Sequence, residues 1–167
     1  DLPFDIQGGG SDLIYPHHSM CDEITRITKN TDFAEIYCHV GMVSYEGSKM
    51  SKSKGNLVFV HQLIDQGIDP NVIRLMLISK PWHQEWEFLF TEIEQYRIKY
   101  NKLKNFSNKF IDIEALENIL KIVLNNLDVG AAIEYIMNVD KFENQDDLIP
   151  LETVMNNLFG LSLKNAY

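Results

Sequence analysis

Three lysines fall within six residues of one another in Gly47-Ser48-Lys49-Met50-Ser51-Lys52-Ser53-Lys54-Gly55-Asn56, interleaved with three serines and flanked by two glycines. Serine hydroxyls and free backbone N–H groups donate to phosphate oxygens. Lysine adds a mobile point charge suited to a polyphosphate. Glycine lets the backbone turn tightly and come close to a ligand. Such a loop can fold over a triphosphate and hold the charge that develops on the α-phosphorus and on departing pyrophosphate. Composition alone also reads as a solvated basic turn; its order and its context decide between the two.

Two other groups carry chemistry. Gln7-Gly8-Gly9-Gly10-Ser11-Asp12 follows the short apolar run Phe4-Asp5-Ile6. Three glycines after a strand mark close backbone approach, to a ligand or to neighbouring chain. The run lacks the spacing of a dinucleotide fingerprint or a Walker loop. His17 and Cys21 are four residues apart. On a helix they would face one way, a spacing zinc accepts. Two ligands do not close a zinc site, and a free structural cysteine beside a hydrogen-bonded histidine explains the spacing as simply.

Elements must position these groups. Phe4 to Ile6 reads as the end of a buried strand, and a helix is expected from His17 to about Thr28, with Pro16 at its start. Ala34 to Val43 reads as a second buried strand leading to the lysine loop. Strand, helix, strand and loop make the pattern of a parallel nucleotide-binding sheet, where ligands sit at the carboxyl ends of strands. Leu57 to Gln66 reads as a helix capped by Gly67, and Asp69-Pro70 opens another through about Ser79. The aromatic stretch from Lys80 to Phe90 reads as packing between domains. From Thr91 the apolar residues step by three and four. Ile93, Tyr96, Tyr100 and Leu103 form one set, and Ile113, Leu116, Leu120, Val123 and Leu127 a second. Val129, Ala132, Ile133 and Ile136 follow, then a polar loop from Asn138 to Asp147, then Leu151, Val154, Met155, Leu158 and Phe159. Four amphipathic helices with short connections describe a small antiparallel bundle. The expected organisation is therefore an α/β nucleotide-binding part over 1–56, a helical connective segment over 57–90 and a helical bundle over 91–167.

The chain has 167 residues, 45% of them hydrophobic and 23% charged, and a net charge of −9. That balance weighs against a broad nucleic-acid footprint, which needs a basic face to displace phosphate counterions. Arg97, Lys99, Lys102, Lys104 and Lys109 make one basic cluster, most simply a solvated helix face. Two cysteines are too few for a disulfide framework and suit a reducing cytoplasm. No apolar run reaches the ~18 residues of a membrane span. The first residues, Asp1-Leu2-Pro3, suggest a fragment or a processed chain.

Lys49 to Ser53 spell KMSKS, the lysine-loop signature of class I aminoacyl-tRNA synthetases. Together with Gly8 to Leu13, Pro16-His17-His18 and Gly41-Met42-Val43, the chain resembles the cysteinyl-tRNA synthetase group. Within that group it is more similar to the mycothiol-pathway cysteine ligases, through His39 to Val43, Lys52 to Val60, Gly67 to Pro70, Ile73-Arg74-Leu75 and Glu85-Trp86-Glu87. Leu158-Phe159-Gly160-Leu161 near the terminus points the same way. The resemblance implies a Rossmann-like fold followed by a helical bundle, and an ATP-dependent enzyme that activates L-cysteine as cysteinyl-AMP. The ligases then form an amide with glucosaminyl-inositol; a tRNA synthetase would esterify tRNA instead. A degenerate, non-catalytic nucleotide-binding module is the reading from a different class.

By the same resemblance, Gly10, Ser11 and Asp12 contact the cysteinyl-adenylate and the Val43 backbone meets the adenine. Lys49, Met50, Ser51, Lys52 and Ser53 form the ATP loop, with Lys49 and Lys52 catalytic and Lys52 the one most expected at the phosphates. His17 is implied as a ligand of a single zinc that grips the cysteine thiolate, with Cys21 a weaker candidate; ATP would come with magnesium. A monomer that binds only small molecules is expected. The remaining zinc ligands and the HIGH-type ATP signature are expected before Asp1, so the chain alone should be inactive. Ser19 and Pro81-Trp82-His83 depart from the family pattern.

Overall fold

A computed structural model describes residues 2–142 and 148–164, which divide into two compact units. Among the described residues, the first comprises 2–57 with 82–88, the second 58–81 with 89–142 and 148–164. The segment 82–88 thus leaves the connective stretch in which the sequence places it and joins the first unit.

In the first unit, β1 (Phe4–Gly10) pairs in parallel with β2 (Ala34–Val40), Gly8 opposite Cys38, Gly9 opposite His39 and Gly10 opposite Val40. The strand runs through the glycines where the sequence suggests that it stops before them. Ladder hydrogen bonds come from the backbone, so three residues without side chains can still pair. Both strands were expected to be buried; instead Ile6 is 62% and Ile36 53% exposed, with Phe4 and Val40 also open. Apolar sequence marks what a strand can bury, and not what lies against it in this chain.

Between the strands, α1 (Ser19–Lys29) starts two residues later than the sequence suggests. A kinked turn, Ile14–His18, precedes it, with Tyr15 extended at φ −135° and ψ 135°. The pre-proline position accounts for the extended Tyr15, and the Ser19 N–H reaches back to the Ile14 and Pro16 carbonyls, so the turn before Ser19 is wound differently from the regular helix that follows. The single strand expected over 34–43 is broken at Gly41-Met42. Beyond the break, β3 (Val43–Tyr45) pairs antiparallel with β4 (Ser48–Lys49) and parallel with β5 (Trp86–Glu87). Glu46 and Gly47, both at positive φ, make the two-residue hairpin turn between β3 and β4.

The second unit is helical. α2 (Val60–Asp65) is shorter than its apolar pattern suggests, while α3 (Pro70–Ser79) matches it and is capped by Asp69, whose carboxylate accepts from Asn71 N–H. α4 (Phe90–Lys104), α5 (Ile113–Leu124), α6 (Val129–Asn138) and α7 (Leu151–Phe159) follow. A short pair, β6 (Phe110–Ile111) and β7 (Ile149–Pro150), ties two of the connections. α3 packs on α4 and α6, and α5 on α6. Leu75, Leu103, Ile119, Ile133, Ile136 and Met155 are fully buried. The spacing gives the buried faces of α4, α6 and most of α7, where Leu158 is open. On α5 the buried residues are instead Ala115 and Ile119, while Ile113 and, beyond the helix, Leu127 are 63% and 61% exposed. α3 belongs to the core as well. Part of the polar loop expected over 138–147 lies outside the described residues. No described helix is long and apolar enough to cross a membrane.

Candidate functional site

The carboxyl end of β1 delivers Gly10, and the short turn Ser11–Leu13 follows at once. An added Cβ on Gly10 would lie 2.5 Å from Asp12 Oδ1 and 3.2 Å from Met42 Sδ. A larger residue there would push the acidic side chain and the methionine away. Ser11, Asp12, Met42, Val43, Ser44, Lys49 and Glu85 line one open cavity of about 380 Å³. Four residues singled out in the sequence (Ser11, Asp12, Val43 and Lys49) therefore share a single cavity, and Gly10 abuts it.

Glu85 was not anticipated. It reaches the cavity because residues 82–88 lie along the β2–β3 bend. Gly41 N–H donates to the Trp82 carbonyl at 2.9 Å, Trp86 N–H to Met42 at 3.2 Å and Phe88 N–H to Ser44 at 2.8 Å. Gly41 must lack a side chain: a Cβ would sit 2.0 Å from the Gln84 carbonyl oxygen. A glycine inside an apolar strand pattern was the available signal, since such a residue often marks close backbone approach.

Lys49 Nζ donates to Asp12 Oδ2 at 2.7 Å, joining the lysine loop to the glycine-strand end across the cavity. That hydrogen bond holds the Asp12 carboxyl below its ordinary value of 3.8. Lys52, Ser53 and Lys54 occupy an exposed 3-10 turn away from the cavity lining. Ser51 caps this turn, its hydroxyl accepting from Lys54 N–H at 3.3 Å. Met50 is half-buried and is not part of the cavity lining. Asn56, just beyond the loop, accepts from Ser51 N–H at 2.9 Å and donates to Ser48 Oγ at 3.1 Å.

Behind the glycines lies a histidine pair. His18 is buried, and its Nδ1 is 2.8 Å from His39 Nε2. The Gln7 amide nitrogen lies 3.3 Å from His18 Nε2. With the Gln7 amide N–H donating to His18 Nε2, the matching tautomer carries its proton on Nδ1, directed at His39. Burial, then the neighbouring His39 and His17, hold the His18 ring below its ordinary range. His18 stands in the paired histidines, yet nothing in its spacing separates a buried ring from an exposed one.

His17 is exposed in the turn before α1, and Cys21 is a free, partly buried thiol within α1. Among the described residues, no three His, Cys, Asp or Glu side chains gather into a cluster that could hold a metal. These residues do not form a zinc site on their own.

A family model described as the tRNA synthetases class I (C) catalytic domain matches residues 1–98. An L-cysteine:1D-myo-inositol 2-amino-2-deoxy-alpha-D-glucopyranoside ligase of Brachybacterium faecium is 38% identical over 98% of this chain and 41% of its own length. The protein of that name from Streptomyces coelicolor is 40% identical over 79% of this chain and 33% of its own length. The chain therefore spans less than half the length of these curated relatives. Among solved structures, Mycobacterium tuberculosis methionyl-tRNA synthetase in complex with methionyl-adenylate superposes with a TM-score of 0.61. It is 19% identical, over 81% of this chain and 32% of the other, a likeness of fold.

Proposed function

This chain belongs to the family of class I (C) tRNA synthetase catalytic domains, and on that premise we propose that it supplies the lysine-loop side of the site in an AMP-forming cysteine ligase. The acceptor would be the amine of glucosaminyl-inositol, as the names of its relatives suggest. One observation carries the reading: Lys49 and Asp12, from two segments 37 residues apart, meet at 2.7 Å over a cavity also lined by Ser11 and Val43.

The chemistry asks little proton transfer of the protein. The cysteine carboxylate attacks the α-phosphorus of ATP, the bond to pyrophosphate breaks, and cysteinyl-AMP forms. The acceptor amine then attacks the acyl carbon, the nitrogen gives up a proton, the bond to AMP breaks, and an amide results. Catalysis of the first step is mainly positioning and charge stabilisation. Gly10, Ser11 and Asp12 present backbone and carboxylate to the adenylate, and the Val43 backbone borders the adenine. Lys52, without an acidic partner among the described residues, and Lys49, once released from Asp12, neutralise the leaving pyrophosphate, with Met50, Ser51 and Ser53 shaping the loop. Magnesium would accompany ATP. His17 would give one imidazole to a zinc whose other ligands are not among the described residues; zinc there would select thiolate over hydroxyl.

The test supplies the full-length protein with ATP, cysteine and either glucosaminyl-inositol or tRNA. Formation of the cysteinyl amide is the expected result. Acylation of tRNA alone would establish the synthetase reading, which the family model's description favours. Absence of cysteine-dependent ATP–pyrophosphate exchange would leave a non-catalytic module. The 167-residue chain by itself should show no such exchange, because it spans only 41% of the length of the Brachybacterium faecium relative.

A further inference from the structure

We infer that Asn56 is the positioning residue of the lysine loop, an inference that rests on the nucleotide-binding role proposed above for that loop. One half-buried side chain ties together both limbs of the loop's base. Its Oδ1 accepts from Ser51 N–H at 2.9 Å. Its Nδ2 donates to Ser48 Oγ at 3.1 Å and lies 3.3 Å from the Lys49 carbonyl oxygen, with the Tyr45 and Ser48 carbonyls at 3.4 and 3.5 Å. These partners span the end of β3, all of β4 and the cap of the lysine turn.

The connection continues to the reactive end. Ser51, held by Asn56, caps the turn that carries Lys52 and Lys54. At the other end of the hairpin, Gly47 N–H donates to Glu87 Oε1 at 2.7 Å. The loop is thus held at its base by Asn56 and at the hairpin turn by Glu87, while the turn bearing Lys52 and Lys54 stays exposed. Lys49 is held on Asp12, and no described acidic side chain pairs with Lys52 or Lys54. The charge left for a polyphosphate therefore lies on the turn whose placement depends on Asn56.

Asparagine suits this position because one planar head carries an acceptor and two donors. Aspartate has the same shape but would set a carboxylate against three carbonyl oxygens. Leucine fills similar space without either hydrogen-bonding role. A small displacement of a charge that acts on a transition state costs far more in rate than in binding of a substrate held elsewhere.

The test compares full-length protein with Asn56→Asp and Asn56→Leu, measuring cysteine-dependent ATP–pyrophosphate exchange together with amide hydrogen exchange. In both variants kcat should fall by ~10–100-fold and the KM for ATP should rise, with the KM for cysteine within about twofold of the parent. In Asn56→Leu the Ser51 amide should lose protection while the β1 and β2 amides keep theirs. Parental kcat in either variant would overturn the inference, because shape would then suffice. So would loss of protection throughout β1 and β2, which would make Asn56 a general fold residue. If the parent protein shows no exchange reaction at all, the cysteine reading fails, and Ser51 protection alone decides whether Asn56 holds the loop.

Discussion

Lys49 and Lys52 look equivalent in the lysine run, yet they sit in different electrostatic surroundings. Lys49 is on a strand and paired with Asp12; Lys52 is on an exposed turn. Both members of the Lys49–Asp12 pair are substantially exposed, so it is a local orientation device more than a source of stability. Because the Asp12 carboxyl is lowered, the pairing holds above the ordinary value of 3.8 and is lost as pH falls through the lowered one. Lys49→Ala should return the Asp12 carboxyl toward 3.8, as read by an NMR titration of its carboxyl carbon. Lys52→Ala in the full-length protein should lower the rate of cysteine-dependent exchange by ~10²–10³-fold, the scale of losing one preorganised charge at a transition state. An unchanged rate would remove Lys52 from the chemistry.

At the scale of elements, the cavity depends on β5 lying against β3, and Gly41 permits that approach. Gly41→Ala would drive a Cβ into the Gln84 carbonyl, so the 82–88 segment must shift and carry Glu85 with it. Urea unfolding should show a loss of about 1–3 kcal/mol or more, the usual scale of forced overpacking. Caps give a milder case. The Asp69 carboxylate satisfies the Asn71 N–H at the start of α3, and Asp69→Ala should cost about 1 kcal/mol in the same assay. The lysine loop itself is a hairpin plus a turn, closed at its base by Asn56 and at its far end by Glu87.

Across the whole molecule, the fully buried apolar side chains belong to the helical unit. Removing one is expensive there: Leu103→Ala should destabilise that unit by about 2–5 kcal/mol, measured by thermal unfolding. The same unit fastens its last residues. Tyr100 Oη–H donates to the Ser162 carbonyl, Ser162 N–H to Asn71 Oδ1 at 3.1 Å and Leu163 N–H to Glu152 at 2.8 Å. Burial first, then Asp69 and Glu152, push the Tyr100 hydroxyl up to about 12. A tyrosine raised in the folded state contributes its full stability below its ordinary value of 10.0. That contribution is lost as pH climbs from 10 toward 12. Tyr100→Phe should flatten this alkaline slope and cost about 1 kcal/mol at neutral pH for the lost hydrogen bond.

Sequence alone was enough for the features that are local. The spacing of apolar residues marked α3 and the bundle helices, Asp69-Pro70 marked a helix start, and the KMSKS order marked the loop, because period, cap and motif are written within a few neighbouring residues. Only tertiary structure decided the rest. It brought Glu85 to the cavity that Asp12 lines, put Lys49 rather than Lys52 on that carboxylate, buried His18 while leaving His17 open, and carried β1 through three glycines. Each of these is a contact between segments separated along the chain, and a contact of that kind depends on how backbones approach in space, which no residue's type or spacing specifies by itself.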